Sequence, residues 1–301
     1  MNRGILYGIA CYTLWGLMPL YWKTLQDVPA AEILANRIVW SLLFVIGLLA
    51  YKRSWRWVRP ALRQRRVLLT FTTTAVLLAI NWFTYIWAVN AGYVIETSLG
   101  YFINPLVNVA LGVVFLHERL RRGQVAALSL AVLGVVYLTF SYGAFPWIAL
   151  TLAFSFAFYA LLRKTASLEA TEGLALETAV LFLPAILYML FLQRTGTSSF
   201  GQGDPQTTLL LIGVGVLTAI PMLLFALAAR RITLTNLGLL QYIAPTMQFL
   251  LGIYVFNEAF GKEQLVGFGL IWMALLVYSF EAVWVSRRKS LSPAVKEASR
   301  P

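Results

Sequence analysis

The chain has 301 residues, of which 60% are hydrophobic and 12% are charged. Ordinary soluble domains contain about 25% charged residues, so this composition excludes a soluble globular protein and indicates a chain that folds in lipid. The net charge of +12 would suit a nucleic-acid-binding protein, but no basic stretch accompanies a nucleic-acid-binding fold, and we expect no nucleic-acid partner. Cys11 is the only cysteine, which excludes an internal disulfide and a thiolate metal cluster.

Ten predominantly apolar blocks follow one another along the chain. A transmembrane helix needs about 20 such residues, so the predicted fold class is an all-α membrane protein of ten transmembrane helices. The predicted spans cover residues 4–22, 33–51, 67–88, 95–116, 124–141, 145–162, 174–192, 207–229, 234–256 and 264–284. A signal-peptide cleavage pattern follows the first block, but this block is longer than the apolar region of a signal peptide. We therefore interpret it as a span.

Positive charges lie almost entirely in every second connection between the predicted spans. With the amino terminus in the cytoplasm, the cytoplasmic side carries Arg3, Lys52, Arg53, Arg56, Arg59, Arg63, Arg65, Arg66, Arg119, Arg121, Arg122, Arg163, Lys164, Arg230, Arg231, Arg287, Arg288, Lys289, Lys296 and Arg300. The opposite side keeps Lys23, Arg194 and Lys262. This positive-inside bias predicts that both termini are cytoplasmic.

The chain matches itself when it is shifted by 140 residues. The informative matches are residue types that are rare here: Glu32 with Glu172, Pro105 with Pro245, Glu118 with Glu258 and Gln124 with Gln264. We predict two five-span repeats, residues 1–142 and 143–286, followed by a basic cytoplasmic tail, residues 287–301, that we expect to be disordered. Because five is odd, the second repeat enters the membrane from the opposite side. Such inverted repeats recur in secondary transporters.

Polar residues mark one face of the fourth predicted span and one face of the ninth. A polar side chain at this depth usually faces the bundle interior, because an unsatisfied group in hydrocarbon costs on the order of kilocalories. In the fourth span Thr97, Tyr101, Asn104 and Asn108 recur at intervals of four, three and four residues, which places them on one helical face. The ninth span offers Gly238, Gln241, Pro245 and Gln248, with Tyr242 beside them. We predict that Tyr101, Asn104, Gln241 and Tyr242 bind a substrate between the two spans.

Two prolines, Pro105 and Pro245, lie near the centres of these same spans. Proline removes a backbone donor and crowds the carbonyl four residues earlier, which here belongs to Tyr101 or Gln241. One hypothesis is that both prolines act as hinges. The alternative is that they only shape the packing of curved helices.

The first and third spans supply further substrate-binding candidates. Trp15 lies deep in the first span, and Asn81 and Tyr85 lie in the third. Aromatic residues at such spacing also serve as core packing or as interfacial anchors, and that alternative stays open.

Charged residues within the predicted spans include Arg37, Glu96 and Glu177. Arg37 and Glu96 each sit about one turn inside the outer ends of their spans, where they could pair as a gate. Arg37 could instead bind a substrate carboxylate or snorkel to the headgroups. Glu177, the repeat partner of Arg37, is a candidate for an inner gate or a proton carrier.

The sequence resembles the drug/metabolite transporter superfamily, and within it the EamA-type proteins of the chloramphenicol-sensitivity (RarD) family. Four segments carry the resemblance, residues 12–23, 81–90, 98–106 and 237–246, and the similarity spans essentially the whole chain. The resemblance implies ten helices in two inverted EamA repeats around a central cavity in a bacterial cytoplasmic membrane. It also implies solute export as the default direction.

One position departs from the pattern of these proteins. Where they often carry His-Arg in the second span, this chain has Asn36-Arg37. Any role in proton transfer that is assigned to that histidine therefore does not apply to this chain. The family leaves the transported compound undefined.

We therefore expect a secondary transporter that works by alternating access, for a small organic solute such as an amino acid or a drug. A coupled proton or counter-ion is a candidate partner, and we expect no cofactor or metal. A membrane enzyme is the less favoured alternative, because the sequence has no H-E-x-x-H, G-x-S-x-G or glycine-rich phosphate motif. A membrane receptor or assembly subunit that does not transport also stays open.

Overall fold

The computed structural model describes residues 3–281, apart from residues 92, 143–144, 203, 256–264 and 268. Within these residues every regular element is an α-helix, and eight helices are long and apolar enough to cross a membrane. The prediction of an all-α membrane protein is thereby confirmed. The helices are α1 (Arg3–Lys23), α2 (Ala30–Tyr51), α3 (Val58–Arg63), α4 (Arg65–Asn90), α5 (Val94–Leu116), α6 (Arg122–Tyr142), α7 (Trp147–Thr165), α8 (Ala170–Thr195), α9 (Pro205–Ala229), α10 (Leu234–Gln241) and α11 (Ile243–Tyr254). A shorter apolar helix, Leu265–Glu281, follows them.

The ends of several helices follow from local sequence signals. A capping box opens α8, in which Glu169 and Glu172 each accept a hydrogen bond from the other's backbone N–H. Pro205 is the first residue of α9. Proline is well suited to this position, because the N–H that it lacks would have no partner within the helix. Gly196 ends α8 with φ 67°, a left-handed conformation that glycine adopts without steric cost.

The ninth predicted span is divided into two helices. α10 ends at Gln241, and α11 begins at Ile243 after an interruption at Tyr242. Pro245 lies just beyond this interruption, and it has no N–H to donate to the carbonyl of Gln241. α5, in contrast, runs through Pro105 without a break.

Helices from the two halves of the chain interleave. α1 packs against α9 and α11, α2 against α8 and α9, α4 against α7, and α5 against α7 and α10. The contact between α5 and α10 is close because α10 carries Gly238 there: a Cβ on this residue would lie 2.7 Å from the carbonyl oxygen of Pro105. The absence of a side chain thus lets the fourth and ninth spans cross near their prolines.

Two carboxylates join the halves at opposite ends of the bundle. Glu118, just beyond α5, accepts hydrogen bonds from the backbone N–H groups of Leu234 and Thr235 at 2.7 and 3.0 Å, and so caps the start of α10. Glu32, in the first turn of α2, is 1% exposed and accepts bonds from Ser199 N and Phe200 N at 2.8 and 3.0 Å. These bonds fix the connection between α8 and α9 on α2.

Candidate functional site

A cavity opens between the two halves, on the side of the bundle where α1 ends and α2 begins. It encloses about 980 Å³ of space, open solvent at its mouth included. Most of its wall comes from the C-terminal halves of α1 and α4, the N-terminal halves of α2, α5 and α7, and the region where α10 meets α11. The lining residues are Tyr12, Trp15, Met18, Pro19, Trp22, Arg37, Asn81, Trp82, Tyr85, Gly100, Tyr101, Asn104, Leu152, Phe156, Gln241, Ala244, Pro245 and Gln248.

All but one of the predicted substrate-binding residues line this cavity. Trp15, Arg37, Asn81, Tyr85, Tyr101, Asn104 and Gln241 are brought together there. The exception is Tyr242, whose side chain is fully buried behind the wall and whose hydroxyl donates to the carbonyl of Phe102 at 3.2 Å. The Tyr242 ring points toward α5, where its hydroxyl finds the Phe102 carbonyl, whereas the neighbouring Gln241 points into the cavity.

Arg37 is the one charged side chain among the described residues of the cavity wall. Its Nε donates to Thr218 Oγ1 at 3.0 Å, and its guanidinium carbon lies 4.3 Å from the centroid of the Trp82 ring and 5.7 Å from that of Trp22. Within the described part of the chain no carboxylate lies at ion-pair distance from it. The Glu96 side chain, its predicted gate partner, lies outside the described residues. Arg37 is therefore held over aromatic faces inside the bundle, where cation–π attraction fixes it.

Three carboxamides cross-link the halves at the base of the cavity. Asn108 Nδ2 donates to Asn104 Oδ1 at 3.1 Å and to Gln241 Oε1 at 2.9 Å. Asn104 Nδ2 in turn donates to the carbonyl of Ala153 on α7 at 2.6 Å. Gln241 Nε2 makes no hydrogen bond to any residue that the structure describes, so this amide presents a free donor to the cavity.

The wall between α4, α5 and α7 combines an amide with two phenols. Asn81 Nδ2 donates to the carbonyl of Leu152 at 2.9 Å and to Ser155 Oγ at 3.0 Å. The rings of Tyr85 and Tyr101 meet in a T-shaped contact with centroids 5.8 Å apart. These bonds hold the polar side chains in place before any ligand arrives.

Five aromatic side chains pack together at the inner end of the cavity, and we call this set the aromatic floor. Its members are Tyr12, Trp15, Phe156, Tyr159 and Phe225. Tyr12, Trp15 and Phe156 line the cavity, and the other two pack against them. Ring centroids within the set lie between 5.1 and 6.5 Å apart. Aromatic pairs at these separations attract one another beyond simple burial. The floor therefore closes the cavity on the side away from its mouth.

A buried ion pair lies beyond the aromatic floor. Arg163 and Glu177 are each 1% exposed, with Nε and Oε1 3.7 Å apart. Glu177 Oε2 accepts from the Tyr159 hydroxyl at 3.4 Å, and Arg163 Nη2 donates to the carbonyl of Ala170 at 3.1 Å. Arg163 Nε and Nη1 and Glu177 Oε1 have no hydrogen-bond partner among the described residues. The ion pair is thus buried, but some of its hydrogen-bonding atoms have no partner among the described residues.

The sequence does not predict that Arg163 is buried. The predicted sixth span ends at residue 162, which places Arg163 in a connection, whereas α7 continues to Thr165. The signal that could have revealed it is Glu177, which lies within a predicted span at the repeat position of Arg37. A carboxylate inside a span indicates that a buried basic side chain lies nearby.

Comparisons with known proteins identify the family. The model of the EamA-like transporter family matches the chain twice, over residues 2–140 and 146–280. Protein RarD of Streptomyces exfoliatus is 48% identical over 301 residues, which cover 100% of this chain and 94% of that protein. The uncharacterized transporter YojE of Bacillus subtilis is 45% identical over 296 residues, or 96% of this chain and 98% of that protein.

Two more distant matches extend the comparison. The chloramphenicol-sensitive protein RarD of Pseudomonas aeruginosa is 30% identical, over 96% of this chain and 97% of that protein. One crystal structure superposes with a TM-score of 0.72 at 21% identity, covering 93% of this chain and 99% of that chain. At this identity the superposition shows a shared fold. From the two family matches and the full-length relatives, we conclude that the chain is a multi-pass membrane transporter and belongs to the EamA-like transporter family of the drug/metabolite transporter superfamily.

Proposed function

We propose that this protein exports a small organic metabolite that bears a carboxylate, such as an amino acid, by alternating access across a bacterial cytoplasmic membrane. The observation that carries the proposal is the cavity itself. Side chains from both halves of the chain line it, it has a mouth on one side, and an aromatic floor separates it from the other. A carrier needs such a site between two bodies that can move against each other.

The packing of the helices supports an inverted repeat of residues 1–142 and 143–286. Under the 140-residue shift, α1 corresponds to α7, α2 to α8, α4 to α9, and α5 to α10 and α11. The contact of α5 with α7 then corresponds to that of α1 with α11, and the contact of α4 with α7 corresponds to that of α1 with α9. Contacts of α2 with α8 and of α5 with α10 map onto themselves. Each half supplies the same surfaces, as a two-fold axis in the membrane plane requires.

The charge distribution supports an orientation with cytoplasmic termini. The start of α1 lies beside the end of α9, since the Arg231 guanidinium carbon is 5.4 Å from the centroid of the Tyr7 ring. Arg230, Arg231 and the basic connection at 52–66 belong to the side that the positive-inside rule assigns to the cytoplasm. The cavity then faces away from the cytoplasm.

Closure of the cytoplasmic side is the second part of the proposal. The aromatic floor and the Arg163–Glu177 pair fill this side, and Lys164 Nζ donates to the carbonyls of Ala229 and Ile232. We assign Glu177 and Arg163 to an inner gate that separates when the protein opens to the cytoplasm. Water would then satisfy the polar atoms that are unpaired in the closed form, which lowers the cost of opening.

The cavity wall defines the class of cargo. Arg37 offers a charged hydrogen-bond donor suited to a carboxylate. Trp15, Tyr85 and Tyr101 offer aromatic faces for an apolar group, and Gln241 adds a neutral donor. For a cargo with a net negative charge, the inside-negative potential drives outward movement and contributes about 2.3 kcal/mol per charge per 100 mV, which favours export without a coupled ion.

A ligand screen followed by counterflow tests the proposal. Thermal unfolding of the purified protein against amino acids, drugs and quaternary amines identifies candidate cargo, because a ligand of the folded state raises the midpoint. Proteoliposomes loaded with that compound should then accumulate the labelled form by exchange, and protein-free liposomes should not. A stabilising compound that never exchanges would contradict transport and would indicate a receptor.

A further inference from the structure

The connection between α2 and α4 concentrates positive charge at one end of two membrane-spanning helices. Residues 51–66 contain seven basic side chains and no acidic one. The basic residues are Lys52, Arg53, Arg56, Arg59, Arg63, Arg65 and Arg66, and all are exposed. Within the described part of the chain none of them forms an ion pair. Their charges are therefore available to a partner outside the protein.

The segment is folded rather than a loose loop. Trp57 Nε1 donates to the carbonyl of Ser54 at 3.0 Å, and α3 follows directly. Ala61 in α3 is 3% exposed and packs in a cluster with Val67 and Phe71 of α4. Because this face is anchored, Arg59 and Arg63 are held on the exposed part of α3.

Large apolar side chains are exposed among these charges. Tyr51 is 88% exposed, Trp55 46% and Leu62 55%. Aromatic residues at the end of a spanning helix suit the headgroup level of a bilayer, where an amphipathic ring has both apolar and polar neighbours. Basic side chains beside apolar ones form the surface that attracts anionic lipid.

We propose that residues 51–66 bind the headgroups of anionic phospholipids. The bilayer presents phosphates at the depth where α2 ends and α4 begins, and the free guanidinium groups can each donate to them. The proposal concerns a surface remote from the cavity and does not depend on the cargo.

Binding of a fluorescent phosphatidylglycerol to the purified full-length protein in neutral detergent tests this inference, with fluorescent phosphatidylcholine as the reference. We expect the protein to prefer phosphatidylglycerol, and the triple variant R56Q/R59Q/R63Q to bind it about tenfold more weakly or worse. The matched control R3Q/R119Q/R122Q loses the same charge from exposed positions elsewhere and should keep the preference. Gel filtration and thermal unfolding verify that each variant is folded.

Three outcomes would overturn the proposal. The first is an unchanged preference in R56Q/R59Q/R63Q, and the second is an equal loss in the control, which would indicate a general effect of net charge. The third is displacement of phosphatidylglycerol by an equal concentration of inorganic phosphate or of a short RNA, which would identify a free anion or a nucleic acid as the occupant.

Discussion

Arg37 on α2 and Glu177 on α8 occupy matching positions of the internal repeat, 140 residues apart, yet Arg37 lines the cavity while Glu177 is 1% exposed beside Arg163. If the two halves exchange conformations during transport, the surroundings of these two residues exchange as well. Glu177 should then become accessible from the cytoplasm in the state in which Arg37 is enclosed. The two positions are therefore the natural places to probe each side of the cycle.

Arg37→Gln should remove recognition of the cargo carboxylate. A charged hydrogen bond contributes about 1.5–3 kcal/mol, so binding should weaken by about tenfold to a hundredfold. The measurement is the ligand-induced rise in the unfolding midpoint, compared between a carboxylate compound and its amide. Arg37→Lys, which keeps the charge, should retain part of the difference. If the carboxylate compound stabilises the variant and the unaltered protein equally, Arg37 does not bind the carboxylate of the cargo.

Glu177→Gln should loosen the cytoplasmic side, because it leaves Arg163 as a buried charge without its partner. Cys11, the single cysteine, is fully buried on α1 next to the aromatic floor and reports on this opening without any engineered label site. We expect its reaction with a small water-soluble thiol reagent to become several-fold faster.

The matched control for this labelling is Glu281→Gln, which removes the carboxylate of the Arg121–Glu281 pair, where the N–O distance is 3.0 Å. That variant should label like the unaltered protein. The double variant R163M/E177L replaces both buried charges by apolar groups and should regain stability relative to Glu177→Gln. Unchanged labelling of Cys11 in Glu177→Gln would refute the inner gate.

Pro245→Ala should slow exchange while leaving binding of the cargo intact. Alanine supplies an N–H for the carbonyl of Gln241, so α10 and α11 can join into one stiffer helix. Both quantities are measured on the same preparation: the exchange rate reports on the conformational change, and the ligand-induced rise in the unfolding midpoint reports on binding. Pro105→Ala is the comparison variant, and since α5 is already continuous there, we expect a smaller effect. Equal exchange rates in Pro245→Ala and the unaltered protein would argue against a hinge.

Gly238→Ala should destabilise the crossing of α5 and α10. The added Cβ would lie 2.7 Å from the Pro105 carbonyl oxygen and 3.1 Å from Asn108 Cβ, so the helices must separate. Such overpacking costs about 1–3 kcal/mol, and unfolding in a detergent titration measures it. Gly47→Ala is the matched control, because no atom from outside its own stretch of helix lies within 4 Å of its Cβ position. A loss of stability as large in the Gly47 variant would show that close packing is not the cause.

Much of the fold could be predicted from the sequence. Unpaired backbone N–H and C=O groups are costly in lipid, so a spanning segment forms a long apolar helix. The intervals between Tyr101, Asn104 and Asn108 correctly indicated one inward helical face. Periodicity could not reveal the break at Tyr242 or the depth of Arg163, since both depend on where a helix ends. The unpaired polar atoms of the Arg163–Glu177 pair result from tertiary packing, which cannot be predicted from the spacing of residues in the sequence.

The most direct measurement is counterflow of the identified cargo in proteoliposomes carrying Tyr101→Ala or Gln241→Ala. These residues line the cavity from the two halves of the chain, at repeat positions 140 residues apart. Gln202→Ala, an exposed change in the connection between α8 and α9, serves as the control. Both cavity variants should fold and insert normally but lose exchange, while the control should keep it. Exchange at the unaltered rate in both cavity variants would contradict a transport site between the two halves.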